Sequence, residues 1–476
     1  MRYSRLASRK LLCLVHQRHH HAVSLLEDLS QRGFIQDVTR RDALEGALHT
    51  KKQTIYAGVD PTAKSLHIGH LIPLLTLLHF HIHGHNVIPI IGGATGRVGD
   101  PSGRLVERQL ADIQQVEYNV SNLTTSIQHF FKRALLYAGS RLQPDQSIPI
   151  DPPTVVNNLN WHGSFGLLDF LQKIGVHVRV NTMLNRESVS ARLSAQQGLS
   201  FTEFTYQLLQ AYDFYHLNKH YGCTIQVGGS DQWGNIVAGL ELIGKLNAPT
   251  SRDESSWTAF GITTPLLTTS TGEKFGKSAG NAVWLDSTLT SVFDFYQYFL
   301  KVTDADVGKY LKLFTLLSTK EIDELVAAHE EQPERRLAQL RLAAEVTEMV
   351  HLGSYLPYIC RLSVADAPVR IWCPTGNYAN LKAEDIISAF ENDPRLAKVA
   401  MQDLRETPIS KLAAKHGLVS SNSASRALLA SRGLYLNNQP IQDPQQRITD
   451  KDLLDKKIAI LRAGKDKTLI LAATDL

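Results

Sequence analysis

The chain has 476 residues, of which 43% are hydrophobic and 20% charged, and its formal net charge at pH 7 is +4. This length suffices for two or three domains, and the high apolar content excludes an intrinsically disordered chain. No uncharged apolar run reaches the roughly 20 residues of a membrane-spanning helix, so we expect a soluble protein without a membrane partner. The four cysteines form no Cys-x-x-Cys pair, which argues against a zinc ribbon or a disulfide framework.

The first 25 residues have the composition of a mitochondrial transit peptide. Arginines, a lysine and serines surround a short apolar run at residues 11–15, and the first acidic residue is Glu27. A basic, amphipathic and acid-free N-terminus is typical of import into mitochondria. The alternative is an ordinary frayed basic terminus, and in either case these residues are excluded from the prediction of the fold.

Residues 54–91 follow the order strand, loop, helix, strand. Residues 54–59 are β-prone and end at Asp60, residues 67–83 are apolar at helical spacing, and residues 87–91 form a second apolar run. Two short apolar runs around one helix predict a βαβ unit with parallel strands. Further units are predicted from strands at 153–157 and 224–227 and a helix at 167–174. The sequence therefore predicts a Rossmann-like, doubly wound parallel sheet with its site at the carboxyl ends of the strands.

The character of the sequence changes after about residue 286. Residues 288–355 and 382–404 have mostly helical patterns, whereas the segment from about Thr407 is a compact α/β piece rich in lysine and arginine. We therefore predict an α/β protein with four segments. These are a transit peptide (1–25), a Rossmann-like catalytic domain (26–285), a helical domain (286–404) and a small α/β domain (405–476).

The first motif with chemical meaning runs from Asp60 to His70, between a predicted strand and a predicted helix. Helix N-termini present free N–H groups that suit phosphate. His67 and His70 lie three residues apart on one face of the first turn, and Gly69 between them allows a nucleotide to approach the backbone. The two imidazoles would donate to the phosphate oxygens of ATP, and Thr62 offers a further hydroxyl.

The second motif is a flexible polar stretch, Gly272–Ser278. Lys274 and Lys277 flank a glycine there, and Ser278 follows them. Such a loop can close over a triphosphate and neutralise a leaving pyrophosphate. Lysine-rich loops are usually only solvated. The second motif therefore indicates a triphosphate site only in combination with the first.

The two motifs together resemble the signatures of class I aminoacyl-tRNA synthetases. Further segments narrow the resemblance to the bacterial-type tyrosyl-tRNA synthetases, and with the presequence to their mitochondrial members. These segments are residues 56–60, 92–96, 99–103, 206–213 and 228–235. The resemblance runs from about residue 25 to the C-terminus.

The resemblance implies a set of residues that bind L-tyrosine. Tyr56 and Asp213 are assigned to the phenolic hydroxyl, and phenylalanine would leave both unpaired, a discrimination for which tyrosyl-tRNA synthetases are themselves a standard example. Asp100, Tyr206 and Gln210 are assigned to the α-ammonium and Gln232 to the carboxylate. Tyr206, Gln210 and Asp213 are spaced to lie on one face of a helix.

The resemblance also implies an ATP site. Gly58, Asp60 and Gly69 line the adenosine side, Asp231 contacts the ribose, and Lys277 and Ser278 belong to the mobile signature loop. Arg104 and Arg108 occupy positions at which members of this family have basic residues that reach the pyrophosphate. Pro73 and Ala57 depart from residues that some relatives place near the ribose, which leaves individual ATP contacts open. No tightly bound cofactor or protein-held metal is expected, and ATP enters with Mg²⁺ as substrate.

The C-terminal segment resembles an S4-type RNA-binding module through residues 421–429 and 433–438. Its lysines and arginines can follow a phosphate backbone, although a plain charged surface is the alternative. The implied partners are tRNA(Tyr), L-tyrosine, ATP and a second copy of the chain, and the implied location is the mitochondrial matrix. The implied activity is formation of tyrosyl-adenylate and transfer of tyrosine to the 3′ end of the tRNA.

Four features of the sequence also suggest other interpretations. Residues 92–99 would pass for a dinucleotide-binding loop, but a turn at residues 100–103 follows where a helix should begin. Histidines at 79, 81, 83 and 85 point in different directions on a helix and cannot converge on one zinc ion. A small-molecule ligase would lack the C-terminal third, and an inactive RNA-binding relative would not need the signature residues. A second RNA role, such as assisting intron folding, stays open.

Overall fold

The computed structural model describes residues 23–104, 106–107, 112–142, 151–196, 198–247, 259–270, 277–278, 281–351, 383–390, 393–464 and 467–474. The helices are α1 (Leu25–Arg32), α2 (Arg41–Thr50), α3 (Leu71–Ile82), α4 (Thr95–Val98), α5 (Ile113–Arg141), α6 (Leu159–His162), α7 (Leu167–Lys173), α8 (Val180–Leu184), α9 (Glu187–Ser194), α10 (Phe201–Tyr221), α11 (Trp233–Asn247), α12 (Val292–Leu300), α13 (Asp304–Phe314), α14 (Thr319–Glu331), α15 (Leu337–His351), α16 (Ala383–Ala389), α17 (Met401–Glu406), α18 (Ile409–Lys415) and α19 (Asn422–Ala430). The strands are β1 (Asp37–Val38), β2 (Thr54–Val59), β3 (Asn86–Ile91), β4 (Val156–Asn157), β5 (Ile225–Gly229), β6 (Phe260–Thr264), β7 (Lys277–Ser278), β8 (Asn281–Ala282), β9 (Leu396–Ala400), β10 (Leu434–Leu436), β11 (Gln439–Pro440), β12 (Ile458–Ala463) and β13 (Lys467–Thr474).

The larger sheet has the strand order β1-β6-β5-β2-β3-β4. Strands β2 to β6 are all parallel, and only the short edge strand β1 is antiparallel, to β6. From β2 the chain first moves outward to β3 and β4 and then returns to the other side with β5 and β6. The sheet order therefore reverses beside β2, and the crevice at the carboxyl ends of β2 and β5 is where such folds bind their ligands. The predicted doubly wound sheet is confirmed.

The βαβ unit follows the prediction with one local difference. Strands β2 and β3 pair in parallel from Thr54 with Asn86 to Val59 with Ile91. The predicted helix at 67–83 is divided into a 3₁₀ turn, Ile68–His70, and the α-helix α3. The 3₁₀ turn forms because the His67 and His70 side chains satisfy backbone N–H groups that would otherwise lack partners at a helix start.

The helices that follow the larger sheet share its core. Residues of α3, α5 and α12–α15 belong to one continuous apolar cluster, which includes Leu74, Phe131, Phe299, Phe314 and Leu342, all almost fully buried. Helix α5 carries ten buried residues along its length, and it was not identified from the sequence. The helical segment is thus held against the sheet by apolar packing over a wide area.

The C-terminal sheet corrects the prediction for residues 382–404. These residues were expected to be mostly helical, but Leu396–Ala400 forms strand β9, which pairs in parallel with β13. The sheet order is β11-β10-β12-β13-β9. The sequence Leu-Ala-Lys-Val-Ala also suits a helix, and the pairing with a distant strand decides its conformation.

Within the described part of the chain, no helix combines the length and hydropathy that a membrane crossing requires.

Candidate active site

The 3₁₀ turn after β2 fixes the orientation of both signature histidines. The Nδ1 atom of His67 accepts a hydrogen bond from the Gly69 N–H at 3.1 Å, and Nδ1 of His70 accepts from the His67 N–H at 3.0 Å. The ring centroids lie 3.9 Å apart at an angle of 35°. Because each Nδ1 is an acceptor, each ring carries its proton on Nε2, which is therefore a hydrogen-bond donor.

Burial keeps His70 uncharged. Desolvation, with a smaller contribution from His67, lowers the pKa of His70 to about 3. The imidazole is therefore neutral at physiological pH and acts as a hydrogen-bond donor rather than as a cation. A neutral donor gains strength where negative charge develops on a phosphate and leaves the turn free of charge repulsion between the two rings.

Two glycines keep the nucleotide side of the cleft open. A Cβ atom on Gly69 would lie 2.8 Å from Cε1 of His67, so any side chain there would displace that imidazole. Gly58 occupies the exposed position of β2, whose other residues are buried. The absence of a Cβ atom at Gly69 is compatible with the backbone approach that the sequence predicts there for a nucleotide, and Gly58 leaves β2 uncovered at its exposed position.

Tyr56 and Asp213 lie close together in the apolar layer beneath the cleft. The Tyr56 side chain is 2% exposed, and its hydroxyl has no hydrogen-bond partner. Burial raises the pKa of Tyr56, and the charge of Asp213 raises it further. The neutral phenol is thus retained over the whole physiological range. Its unpaired hydroxyl is unusual for a buried group, which indicates a position prepared for a polar ligand.

Asp213 is held by three donors that the sequence analysis did not identify. Trp161 Nε1 and His162 Nε2 both approach Oδ1, at 2.8 and 2.7 Å, and Asn158 Nδ2 donates to Oδ2 at 3.0 Å. All three follow β4 at the carboxyl edge of the sheet. The signal in the sequence was the pair of asparagines at the end of the predicted strand at 153–157, since polar residues at that edge face the crevice.

Helix α10 presents Tyr206, Gln210 and Asp213, as their spacing predicted for one helix. The Tyr206 hydroxyl donates to Oδ2 of Asp60 at 2.8 Å, and burial together with Asp60 raises the pKa of Tyr206. The Oε1 atom of Gln210 is buried and has no partner. Gln210 therefore provides a second unsatisfied polar atom on the side of the cleft assigned to the α-ammonium.

A chain of hydrogen bonds joins the two halves of the cleft. Asp60 accepts from Tyr206 and, at 2.8 Å, from the Thr95 hydroxyl, which in turn accepts from Asn158 at 3.0 Å. Asn158 also donates to Asp213. Asp60, expected on the adenosine side, is therefore also linked to the residues assigned to tyrosine.

Gln232 and Asp100 form a second polar group. Gln232 Nε2 donates to Oδ2 of Asp100 at 2.7 Å, and Gln232 Oε1 accepts from Asn235 at 3.1 Å. Asp100 is 7% exposed and also accepts from the Ser102 N–H. Asp231, assigned to the ribose, is exposed at the neighbouring turn.

The remaining predicted residues lie at the open side of the cleft or outside the described residues. Thr62 and Arg104 are exposed, and the Thr62 N–H donates to the Asp60 carbonyl at 2.8 Å. Lys277 and Ser278 form strand β7, which pairs with β8, and only their backbone is described. Lys274 and Arg108 lie outside the described residues.

The glycine-rich segment after β3 serves packing. A Cβ atom on Gly92 would lie 2.0 Å from Oδ1 of Asp60, and one on Gly93 would lie 2.3 Å from Oδ1 of Asn157. The segment continues into the four-residue helix α4, which is too short to resemble the long helix of a dinucleotide-binding loop. These glycines allow Asp60 and the end of β4 to approach, so the dehydrogenase interpretation loses its main support.

The histidines of α3 and the turn after it have separate structural partners. His79 packs edge-on against Phe34, the His83 ring bonds the His79 carbonyl, and His85 Nδ1 accepts from the Gln53 N–H. Among the described residues, no group of three or more histidine, cysteine or acidic side chains is arranged to hold a metal ion.

Comparison with known proteins identifies the family. Residues 48–359 match the family "tRNA synthetases class I (W and Y)", and residues 385–471 match the "Tyrosine--tRNA ligase SYY-like C-terminal domain". The chain is 42% identical to the mitochondrial tyrosine–tRNA ligase of Saccharomyces cerevisiae, over 94% of this chain and 88% of the relative. It is 41% identical to tyrosine–tRNA ligase of Roseiflexus castenholzii, over 93% of this chain and 97% of the relative.

A solved structure is also similar. The C-terminally truncated mitochondrial tyrosyl-tRNA synthetase of Aspergillus nidulans is 37% identical and aligns with a TM-score of 0.64, covering 70% of this chain and 91% of that one. The family model covers the enzymes for tryptophan (W) and tyrosine (Y). The relatives from Saccharomyces cerevisiae and Roseiflexus castenholzii are both ligases for tyrosine. The chain belongs to the tyrosine–tRNA ligases of the class I aminoacyl-tRNA synthetase family.

Proposed function

We propose that this chain activates L-tyrosine with ATP in the cleft beside β2 and transfers the tyrosyl group to tRNA(Tyr) in the mitochondrial matrix. The observation that carries the proposal is the pair of buried polar atoms without partners, the Tyr56 hydroxyl and Oε1 of Gln210. Other buried polar atoms of the described residues also lack partners, but these two lie on β2 and α10, one turn from Asp213 in the case of Gln210, so one ligand in the cleft can complete both.

The phenolic hydroxyl of the substrate fits between Tyr56 and Asp213. Asp213 keeps one acceptor site on Oδ2 for the substrate O–H, and the Tyr56 hydroxyl can donate to the substrate oxygen. The α-ammonium fits the opposite end of the site. Tyr206 already donates its proton to Asp60, so its oxygen is left as an acceptor beside Gln210 and Asp100.

The chemistry needs no nucleophile from the protein. The carboxylate oxygen of tyrosine attacks the α-phosphorus of ATP in line, and the bond from that phosphorus to pyrophosphate breaks. His67 and His70 donate through Nε2 as charge develops on the phosphate oxygens, and the lysines of residues 274–278 neutralise the pyrophosphate. Mg²⁺ enters with ATP as part of the substrate.

Amino-acid-dependent exchange between ATP and pyrophosphate tests this proposal. We expect exchange with tyrosine and very little with tryptophan or phenylalanine, because neither fits the paired hydroxyl site. Exchange driven by tryptophan in preference to tyrosine would overturn the assignment of the substrate.

Two further features belong to the proposal. A C-terminal RNA-binding module that begins near residue 385, in place of the predicted 405, is supported by strand β9 and by the family match. The mitochondrial location is supported by the yeast relative and by the composition of residues 1–25, which lie outside the described part. A full-length fluorescent fusion should enter mitochondria, and one beginning at Ser24 should not.

We also propose a homodimer formed through the face of α7, α8 and the turn between them. Large apolar side chains are exposed there, including Leu167 at 70%, Leu168 at 81% and Val180 at 60%. Several large exposed apolar side chains on neighbouring elements are typical of a protein interface.

Substitution of Leu168, the most exposed of these side chains, tests the dimer. Leu168→Glu should yield a monomer in sedimentation velocity, because it would bury a charge in the interface. Leu136→Glu, on the exposed side of α5, is the matched control and should leave the mass unchanged. A dimeric Leu168→Glu variant would contradict the assignment of this face.

A further inference from the structure

His162 makes a buried contact with the carboxylate that the proposed function assigns to the substrate hydroxyl. Its Nε2 atom lies 2.7 Å from Oδ1 of Asp213, and the two side chains are 7% and 6% exposed. His162 is the last residue of the short helix α6, whereas Asp213 lies in the middle of α10. The contact therefore joins two elements that meet only in the folded chain.

The arrangement of donors leaves one particular acceptor site of Asp213 open. Trp161 and His162 both donate to Oδ1, so both acceptor positions of that oxygen are occupied. Oδ2 receives only Asn158. A carboxylate offers about four acceptor positions, so the remaining one lies on Oδ2. Because a carboxylate only accepts, His162 must carry a proton on Nε2 whether or not it is charged.

Aromatic neighbours hold this pair of donors in place. The His162 ring stands edge-on to Tyr212, with centroids 5.5 Å apart, and the Trp161 ring stacks on His216 at 4.4 Å. Tyr212 immediately precedes Asp213 in α10. Contacts with aromatic side chains of α10 thus restrain both rings, and the donor direction of the imidazole is set before a substrate arrives.

We infer that His162 is a positioning residue for tyrosine recognition, which occupies Oδ1 of Asp213 and so directs Oδ2 to the substrate hydroxyl. This inference rests on the proposed function, in which Asp213 accepts the phenolic O–H. Without His162, Oδ1 would have a free acceptor site that water or a rotated carboxylate can use, and the site would lose its single preferred geometry. The loss would fall on tyrosine, because phenylalanine has no hydroxyl to align.

The test compares two substitutions in the full-length chain by ATP–pyrophosphate exchange. His162→Leu removes the donor, and we expect KM for tyrosine to rise about 10-fold, with kcat and KM for ATP within about twofold of wild type. The preference for tyrosine over phenylalanine should fall by a similar factor. His162→Gln retains an N–H donor and should recover most of the affinity and of the selectivity.

His329→Leu is the matched control. His329 is a 3% exposed histidine whose Nε2 lies 2.9 Å from Asp304, in the helical segment away from the cleft. Its loss should lower the melting temperature and leave KM for tyrosine unchanged.

Each outcome separates the inference from its alternatives. If His162→Leu lowers the melting temperature but leaves KM for tyrosine and the selectivity unchanged, the pair only stabilises the fold and the inference is wrong. Equal losses in the Leu and Gln variants would contradict the donor role. If His162→Leu does not fold, His162→Gln and His162→Asn are measured by equilibrium dialysis with tyrosine, and unchanged binding in Asn, whose shorter side chain cannot keep the contact, would again overturn it. Failure of the wild-type protein to exchange with tyrosine would instead refute the proposed function.

Discussion

The Tyr56 hydroxyl lies buried without a hydrogen-bond partner, an arrangement that costs the unliganded protein stability. Leaving a buried hydroxyl unpaired costs about 1–3 kcal/mol, and a ligand that supplies the missing partner recovers that free energy. A substrate that forms a hydrogen bond with this single oxygen atom therefore gains part of its binding free energy there. The same atom explains why an amino acid without a hydroxyl gains little from this cleft.

Tyr56→Phe should separate the two roles of this residue. Removing an unpaired hydroxyl should leave the free energy of unfolding unchanged or raise it by up to about 1 kcal/mol, while KM for tyrosine rises about 10-fold. Urea unfolding and ATP–pyrophosphate exchange measure the two effects. Tyr137→Phe is the control, because the Tyr137 hydroxyl donates to Glu345 at 2.5 Å. The free energy of unfolding of Tyr137→Phe should fall by about 1–3 kcal/mol, and its KM for tyrosine should not change. A destabilised Tyr56→Phe variant would argue against a prepared ligand position.

Gly69→Ala should impair catalysis more than binding. The new Cβ would lie 2.8 Å from Cε1 of His67 and would displace that imidazole from its present position. Misplacing a catalytic group by about 1 Å can cost up to about 100-fold in rate. The single-turnover rate of adenylate formation should therefore fall about 10- to 100-fold, while the Kd for tyrosine stays the same. Gly46→Ala in α2 meets no atom within 4 Å and should leave the rate unchanged. A normal rate in Gly69→Ala would show that the position of His67 is not critical.

Helices α5 and α15 are joined by a buried charged network centred on Glu345. Glu345 is 2% exposed and accepts from the Tyr137 hydroxyl, from Arg141 Nε at 2.9 Å and from Arg341 Nε at 2.9 Å. The network links α5, the long helix between β3 and β4 of the larger sheet, to the helical segment that follows the sheet in the chain. A buried carboxylate with several donors specifies how two helices pack, because each member depends on all the others.

Removal of Glu345 should therefore destabilise the fold without changing the chemistry. Glu345→Ala leaves the buried Tyr137 hydroxyl without its acceptor and removes one of the two carboxylates paired with Arg141, the other being Glu348. The free energy of unfolding should fall by roughly 3 kcal/mol, as measured by urea titration. Tyrosine-dependent exchange at 25 °C should stay within about twofold of wild type. Glu324→Ala is the matched control, because Glu324 is 68% exposed and its ion pair with Lys320 should contribute less than about 1 kcal/mol. Equal effects in both variants would mean that the network contributes no more than a surface pair.

At the scale of the whole molecule, buried neutral histidines make stability depend on pH. Desolvation lowers the pKa of His70 and of His351 to about 3, and that of His79 also falls well below its ordinary value of 6.5. Below pH 6.5 the unfolded chain binds protons at these positions and the folded chain does not. Stability is therefore fully present above pH 6.5 and is lost as the pH falls towards 3.

His351→Leu should make this acid sensitivity smaller. Each such histidine contributes a slope of roughly 1.4 kcal/mol per pH unit below pH 6.5, so the variant should lose less stability than wild type between pH 6.5 and 4. Urea unfolding at several pH values in this range measures the slope. His49→Leu removes a histidine whose side chain is 68% exposed and should leave the slope as it is in wild type. An unchanged slope in His351→Leu would show that this imidazole is protonated in the fold.

The sequence by itself determined the parts of this protein that depend on neighbouring residues. The alternation of strand, turn and helix from Thr54 to Ile91, the paired histidines and the polar face of α10 all follow from spacing within one or two elements. The resemblance to class I synthetases followed from the same local motifs, and the comparisons confirmed the family.

Only the tertiary structure decided the contacts between residues that are distant in sequence. The strand conformation of Leu396–Ala400 depends on pairing with β13, about 70 residues later, and the segment could otherwise be helical. The donors around Asp213 come from residues 158–162, which directly follow β4. They meet α10 because β4 and β5, the strand after α10, belong to the same larger sheet. Local propensity acts over a few bonds, whereas the order of strands and the shared core bring side chains together regardless of their separation along the chain.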